Sequence, residues 1–298
     1  MTSITYRLAF AFAWSLSLIP FWLLYRFSDI LYLFNFYILR YRKKVVFHNL
    51  RTSFPEKTEK DIVRLAKAFY RHFSDFLVEI IKVMSISGKE IHRRMKVINP
   101  EVFDELAQNN QNLALVTAHY GNWEWLYIMP EIMKKHLCMI IYRPLKSKIS
   151  DRISLYMRTR KNAKMVPMDQ IFREGIKNRS EKRLFSIWFL ADQRPPRNSS
   201  FWTTFLNHET AFFEGTEKIS RKLGMAVVFM DIQKVRRGYY EARLEKLFDN
   251  AAMSREGEVT LTCINKMEEE IIQKPEFWLW SHKRFKHKRP EDVKLVNR

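Results

Sequence analysis

The sequence predicts an α/β fold with a mixed central sheet flanked by helices, behind an N-terminal membrane-anchoring helix. Three observations carry this reading. From residue 113 onward, short apolar runs alternate with amphipathic stretches, as strands and helices do in a layered domain. Arg236-Arg237-Gly238 separates two long β-like runs in the manner of a hairpin turn, which makes part of the sheet antiparallel. The segment Leu8 to Tyr25 carries no charge, lies between Arg7 and Arg26, and is just long enough to span a bilayer.

Taken in order, residues 1–44 form the anchor and its basic flank, and residues 45–298 a single globular domain. A signal peptide fits the first segment less well than a retained anchor, because the apolar stretch is long and no small-x-small cleavage site follows. Phe27 to Leu39 is again aromatic and apolar, and Arg40, Arg42, Lys43 and Lys44 follow it; by the positive-inside rule they put the rest of the chain on the cytoplasmic side. Apolar residues at helical spacing from Ile62 to Ile80 predict a helix that starts at Thr58, with His72 as a partly buried histidine and Asp75 and Glu79 as a solvated acidic edge or partners of Arg71. Strands are expected over 113–118, 137–142, 163–168, 183–191, 226–235 and 239–247. Helices are expected over 123–135, with a kink at Pro130, and over 148–161, 169–178, 215–223 and 255–273.

Composition narrows the partners. Lys and Arg number 52 against 32 Asp and Glu, a formal charge of +20 that calls for an acidic partner. The 14% aromatic content, dense near the N-terminus, favours an anionic membrane surface over nucleic acid, for which no zinc-finger or RRM signature is present. Cys138 and Cys263 read as buried free thiols. Zinc-ligand spacing, a P-loop and GxGxxG are all missing, so no cofactor is indicated. The aromatic run Phe201 to Leu206 suits an acyl-chain pocket, a bilayer contact or the core. The cationic run that ends at Pro290 reads as a solvated tail.

The chemistry centres on Thr117-Ala118-His119-Tyr120-Gly121-Asn122-Trp123-Glu124-Trp125. On one continuous helix His119 and Glu124 would stand roughly 140° apart and never meet. Gly121 and Asn122 supply a break, so His119 is expected on a strand-to-helix turn and Glu124 in the first helical turn, with the carboxylate orienting the imidazole as a general base. A capped turn with a satisfied histidine is the plain alternative. No GxSxG elbow supplies an enzyme nucleophile, so such a base would activate a substrate hydroxyl or water. Arg143 ends the second strand and Arg158 and Arg160 lie on the next helix, guanidinium groups suited to phosphate; Asp192 and Gln193 end another strand.

Four segments together resemble the bacterial lipid A biosynthesis acyltransferases, the late lauroyl and myristoyl transferases: Asn49 to Glu56, Thr117 to Glu124, Asp192-Gln193, and Pro275 to Lys286 with its Trp-x-Trp-x-His-x-Arg-Phe pattern. The resemblance implies acyl transfer from an acyl carrier protein thioester to a hydroxyl of a phosphorylated lipid A precursor at the cytoplasmic face of the inner membrane. By the same resemblance His119 is the base, Glu124 supports its imidazolium, Arg158 or else Arg160 meets substrate phosphate, and Asp192 contacts the acceptor or supports the base. Phe205-Leu206-Asn207 replaces the family's usual Phe-Phe-Gly, which bears on the shape of the acyl or acceptor pocket.

Overall fold

The computed structural model describes residues 2–196 and 199–297. The chain opens with α1 (Thr2–Leu18) and α2 (Phe21–Leu33), continued by a π-helical turn over 34–38. The expected straight span is broken, since Ile19-Pro20 turns the path by 110°. Proline has no N–H to carry the helix across this point and disfavours helical geometry in the residue before it. Among the described residues no single helix is long and apolar enough to cross a membrane.

The carbonyls at the end of α1 are satisfied from another helix, α4. After α3 (Lys43–Ser53), α4 (Glu59–Lys82) begins at Thr58, whose side chain accepts from Asp61 N as an N-cap should. At its far end Lys82 Nζ donates to Ser17 O at 2.6 Å and to Ile19 O at 2.7 Å, and Ser85 Oγ adds a third bond, to Ser17 O. Farther back, Asp75 and Glu79 are 4% and 0% exposed, which corrects their reading as a solvated edge. Asp75 is paired with Lys234 and Arg237, and Glu79 accepts from Tyr25, Asn122 and Tyr240.

The remaining elements build the sheet. They are α5 (Gly88–Arg94), β1 (Met95–Val97), α6 (Glu101–Gln108), β2 (Leu113–Thr117), α7 (Met129–Ile132), β3 (Leu137–Tyr142), α8 (Lys148–Thr159), β4 (Lys164–Pro167), α9 (Ile171–Ser180), β5 (Phe185–Leu190), β6 (Trp202–Phe205), β7 (His208–Ala211), α10 (Gly215–Leu223), β8 (Ala226–Arg236), β9 (Tyr239–Phe248), α11 (Glu258–Gln273) and β10 (Leu295–Val296). Among the described residues seven strands pair in the order β1-β9-β8-β2-β5-β3-β4. All neighbours are parallel except β8 and β9, joined at the Arg237-Gly238 turn. The mixed sheet is thus as the sequence predicts.

β2 lies between β8 and β5, buried along its whole length, and its side chains alternate between two cores. Ala114 and Val116 join the core that holds Phe69, Phe185 and Trp278, and Leu113 and Leu115 the core that holds Trp125, Trp188 and Tyr240. Strand order changes direction at β2 because β5 returns between β2 and β3; ligands bind outside the carboxyl ends of parallel strands at such a reversal.

One reading is narrowed here and another corrected. Of the places open to Phe201 to Leu206, the core is the one they take, with Phe201, Phe205 and Leu206 buried in it; Trp202–Phe205 form β6, whose hairpin with β7 turns at Leu206 and Asn207, both at positive φ (49° and 63°). Asn tolerates this backbone, so the hairpin survives without the family's glycine. The turn contacts Ser53 and Glu268 rather than any acyl pocket. Residues 275–289 are a strap anchored on the core rather than a loose tail: Trp278, Trp280 and Ser281 are buried, and Arg284, 1% exposed, donates to Thr210 Oγ1 and Ala211 O, whereas Lys283, Lys286 and Lys288 are exposed, as the solvated reading has them.

Replacing Lys82 with Met is expected to destabilise the fold by about 0.5–1.5 kcal/mol, because Ile19 O loses its Lys82 donor and Ser17 O keeps only Ser85 Oγ. Denaturant unfolding gives the magnitude, and faster proteolysis within residues 4–18 identifies α1 as the element released.

Candidate active site

Parallel pairing builds the site. Thr117 of β2 stands opposite Leu190 of β5, and Ala191 N continues the ladder to Thr117 O. Two residues beyond each partner lie His119 and Asp192, brought side by side at the carboxyl edge of the sheet. Asp192 Oδ1 accepts from His119 N at 3.0 Å and from His119 Nδ1 at 2.7 Å. Its other oxygen accepts from Trp278 Nε1 at 2.8 Å. Asp192 is 2% exposed, and burial alone would push its carboxyl up; attraction to the His119 ring in its protonated form and these hydrogen bonds outweigh burial and hold it at about 2.

A carboxylate accepts only, so Nδ1 of His119 carries the hydrogen and Nε2 keeps its lone pair. That lone pair faces Gln193 Nε2 at 3.0 Å, which donates to it. Trp123 meets the imidazole in a T-shaped contact with ring centres 5.2 Å apart. The imidazole is thus fixed in the tautomer a general base requires, with Nε2 directed towards the cavity.

The turn after His119 has the expected break. Gly121 sits at φ +59°, and a Cβ there would lie 2.9 Å from Ile232 Cγ2. Asn122 Oδ1 accepts from Trp125 N as a cap, and His72 Nε2 contacts Gly121 O at 3.2 Å. Burial holds the His72 ring well below its ordinary pKa, so it is neutral and donates to that carbonyl. Beyond the cap the chain forms a 3-10 helix over 123–128 and then α7, in place of the long helix expected over 123–135.

The expected contact between Glu124 and His119 is not formed. The 3-10 turn aims Glu124 at α8, where Arg158 meets it with Nε at 3.0 Å and a second bond from NH2. The Nδ1 side of His119 faces the end of β5, and Asp192 occupies it. Arg160 is also placed elsewhere, donating to Val83 O and lining a different hollow with Glu131 and Lys161.

A cavity of about 770 Å³ opens in front of His119, a size usual for a small-molecule site. Its wall includes Glu124, Arg158, Arg143, Gln193 and Arg194, and its floor is apolar, from Leu126, Ile140, Ile171, Trp188 and Ile219. Sequence reasoning missed Arg194 and His282. Arg194 N donates to His282 Nε2, and burial holds His282 down at about 4, leaving it neutral and able to accept. The Trp-x-Trp-x-His pattern carries the signal, but the cations around its histidine give it the look of a solvated tail.

An oriented base at a reversal of strand order, facing a mostly apolar cavity with arginines on its wall, is the arrangement of an enzyme site. The chain belongs to the bacterial lipid A biosynthesis acyltransferase family, which it matches over residues 2–287. It is 25% identical over 286 residues to the lipid A biosynthesis lauroyltransferase of Escherichia coli K12, covering 94% of this chain and 90% of that protein. The palmitoleoyltransferase of the same organism is 25% identical over 256 residues, covering 83% and 80%. A lipid A biosynthesis acyltransferase of Shigella flexneri has the same identity and coverage. The protein is therefore an acyltransferase of lipid A biosynthesis.

Because the Asp192 carboxyl is held down, its stabilising effect is full above its unfolded pKa near 4 and is lost as pH falls through about 2. Asp192→Asn is expected to remove this acid-side dependence and about 2 kcal/mol of stability at neutral pH. Urea midpoints measured from pH 2 to pH 7 on both forms check it. Gly121→Ala is expected to cost a further 1–3 kcal/mol, roughly, through strain at positive φ, read as a fall in melting temperature.

Proposed function

We propose that this chain transfers a fatty acyl group from an acyl carrier protein thioester to a hydroxyl of a phosphorylated lipid A precursor, with His119 as general base. The observation that carries the reading is the imidazole held through Nδ1 by Asp192, with Nε2 at the cavity and met there by the Gln193 amide. The acceptor hydroxyl displaces the Gln193 amide from Nε2 and gives up its proton there as its oxygen attacks the thioester carbonyl. The tetrahedral oxyanion collapses with cleavage of the C–S bond, and the imidazolium returns its proton to the departing thiolate. Asp192 stabilises the imidazolium in the manner of a triad carboxylate.

Glu124, assigned by the resemblance to support the imidazolium, instead holds Arg158 at the cavity wall; Arg143 and Arg194 are the cations left to meet acceptor phosphates. The apolar floor takes the acyl chain. The excess of positive charge draws both an acidic carrier protein and a phosphorylated glycolipid. The exposed apolar residues Leu8, Phe12, Trp22, Ile30 and Ile38 belong to α1, α2 and the turn after them, and in this reading these helices lie in the interface of the inner membrane on its cytoplasmic side.

The test is transfer by the full chain with acyl carrier protein thioester and lipid A precursor. His119→Ala and Asp192→Asn are each expected to lower kcat by roughly 10³–10⁴-fold with the fold intact. Asp192→Asn also abolishes the low-field Nδ1–H proton resonance of His119, which Glu124→Gln leaves in place; the opposite pattern would make Glu124 the orienting group. Equal turnover with coenzyme A thioesters would remove the carrier protein from the reading. An unchanged lipid A in cells lacking the protein would move the acceptor to another lipid.

A further inference from the structure

A second hollow, of about 700 Å³, is walled by Arg40, Arg42, Lys43, Lys44 and Arg51 and shares no lining residue with the cavity at His119. Among the described residues no acidic side chain lines it. The hollow beside Asp29 and Asp75 differs in holding carboxylates: of its four cations, Lys234 and Arg237 are paired with them, and Arg71 and Arg236 complete the lining. In the basic hollow only Arg51 has an ion-pair partner among the described residues, Glu59. Arg40, Arg42 and Lys43 donate to main-chain carbonyls of Tyr37, Ser281 and Phe36, contacts that leave their charges uncompensated.

The backbone brings these charges together at a conformational cost. Arg40 and Arg42 both sit at φ +50°, a left-handed geometry that non-glycine residues seldom adopt. This double reversal turns the chain from the π-helical turn into α3 and folds consecutive cations round one concavity, where an extended chain would spread them. Burial, followed by the neighbouring Arg40, holds the Lys43 ammonium below its ordinary pKa. An anion in the hollow would relieve that crowding.

The surface beside the hollow indicates the source of the anion. Phe34, Tyr37, Ile38 and Leu39 immediately precede it in the chain and are all exposed. An apolar surface beside concentrated positive charge matches a lipid whose phosphate headgroup sits at the membrane surface above its acyl chains.

We propose that the Arg40–Arg51 hollow is a binding site for a terminal phosphate monoester carried by a membrane lipid, separate from the reaction cavity. A monoester offers three oxygens to guanidinium forks and ammonium groups, more than the diester of an ordinary anionic lipid. The lipid source rests on the proposed interfacial placement of α1 and α2; the phosphate chemistry of the hollow does not.

The experiment is flotation of the full chain with phosphatidylcholine vesicles containing either phosphatidic acid or phosphatidylglycerol, matched in zeta potential. Wild type is expected to prefer phosphatidic acid about tenfold. Arg40→Gln/Lys44→Gln is expected to bring the ratio close to one, whereas Lys96→Gln/Lys182→Gln, which removes the same charge from other exposed positions, leaves it unchanged. The single Lys44→Gln variant, at an exposed side chain, is expected to lower the ratio partway. Equal partition of wild type into both vesicles overturns the site while leaving the membrane reading standing. Failure to float with any vesicle overturns the membrane placement and the lipid source together. Displacement from phosphatidic acid vesicles by inorganic phosphate at equal phosphate concentration overturns the lipid source in favour of a free-anion site.

Discussion

The pairing of Thr117 with Leu190 across β2 and β5 is the constraint on which the site depends. Parallel strands present successive residues at the same edge, so the residues two beyond this pair must meet. A slip of one residue would turn Asp192 to the other face and leave a buried carboxylate without its donors. Full burial of β2 and near-full burial of β5 prevent that slip, because their apolar side chains from Leu113 to Val116 and at Phe185 and 187–189 already fill the two cores.

The strap at the C-terminus makes this arrangement durable. Trp278 donates to Asp192, the carbonyls of Trp280 and His282 accept from Asn49, and Arg42 reaches Ser281 O. One short segment therefore ties α3, near the beginning of the chain, to the carboxylate that orients His119. Arg284 pins its far end to β7 through two neutral acceptors, a hydroxyl and a carbonyl, and burial lowers its pKa to about 9. A buried cation of this kind is costly unless hydrogen bonds satisfy it, and here NH1 and NH2 are satisfied while Nε is left without a partner among the described residues.

Much of the fold was legible in the sequence, and the reasons are local. Alternating apolar runs mark β2, β3, β5, β8 and β9, and Arg237-Gly238 marks the antiparallel joint. The turn at Gly121 and Asn122 was legible because a positive φ and a side-chain cap leave traces in residue type. The carboxylate partner of His119 was not. Spacing along the chain pointed to Glu124, whereas the actual neighbour is set by strand pairing across 73 residues. The burial of Asp75 and Glu79 was hidden for the same reason: their donors come from α2, β8, β9 and the site turn, none of them close in sequence.

The carboxylate of Glu79 shows what such hidden contacts accomplish. It is wholly buried, and burial pushes its carboxyl up. Three donors compensate it: Tyr25 Oη at 2.9 Å, Asn122 Nδ2 at 2.6 Å and Tyr240 Oη at 2.8 Å. Tyr25 comes from α2, Asn122 from the turn after His119, and Tyr240 from β9. An apolar side chain at position 79 would pack as well but would leave all three donors unpaired in the interior, at a cost of about 1–3 kcal/mol each. The polar residue is therefore retained for what it connects. The N-terminal helices, the turn that carries the base and the antiparallel edge of the sheet all share one acceptor on α4, so none of the three can shift away from it without breaking its own hydrogen bond to Glu79.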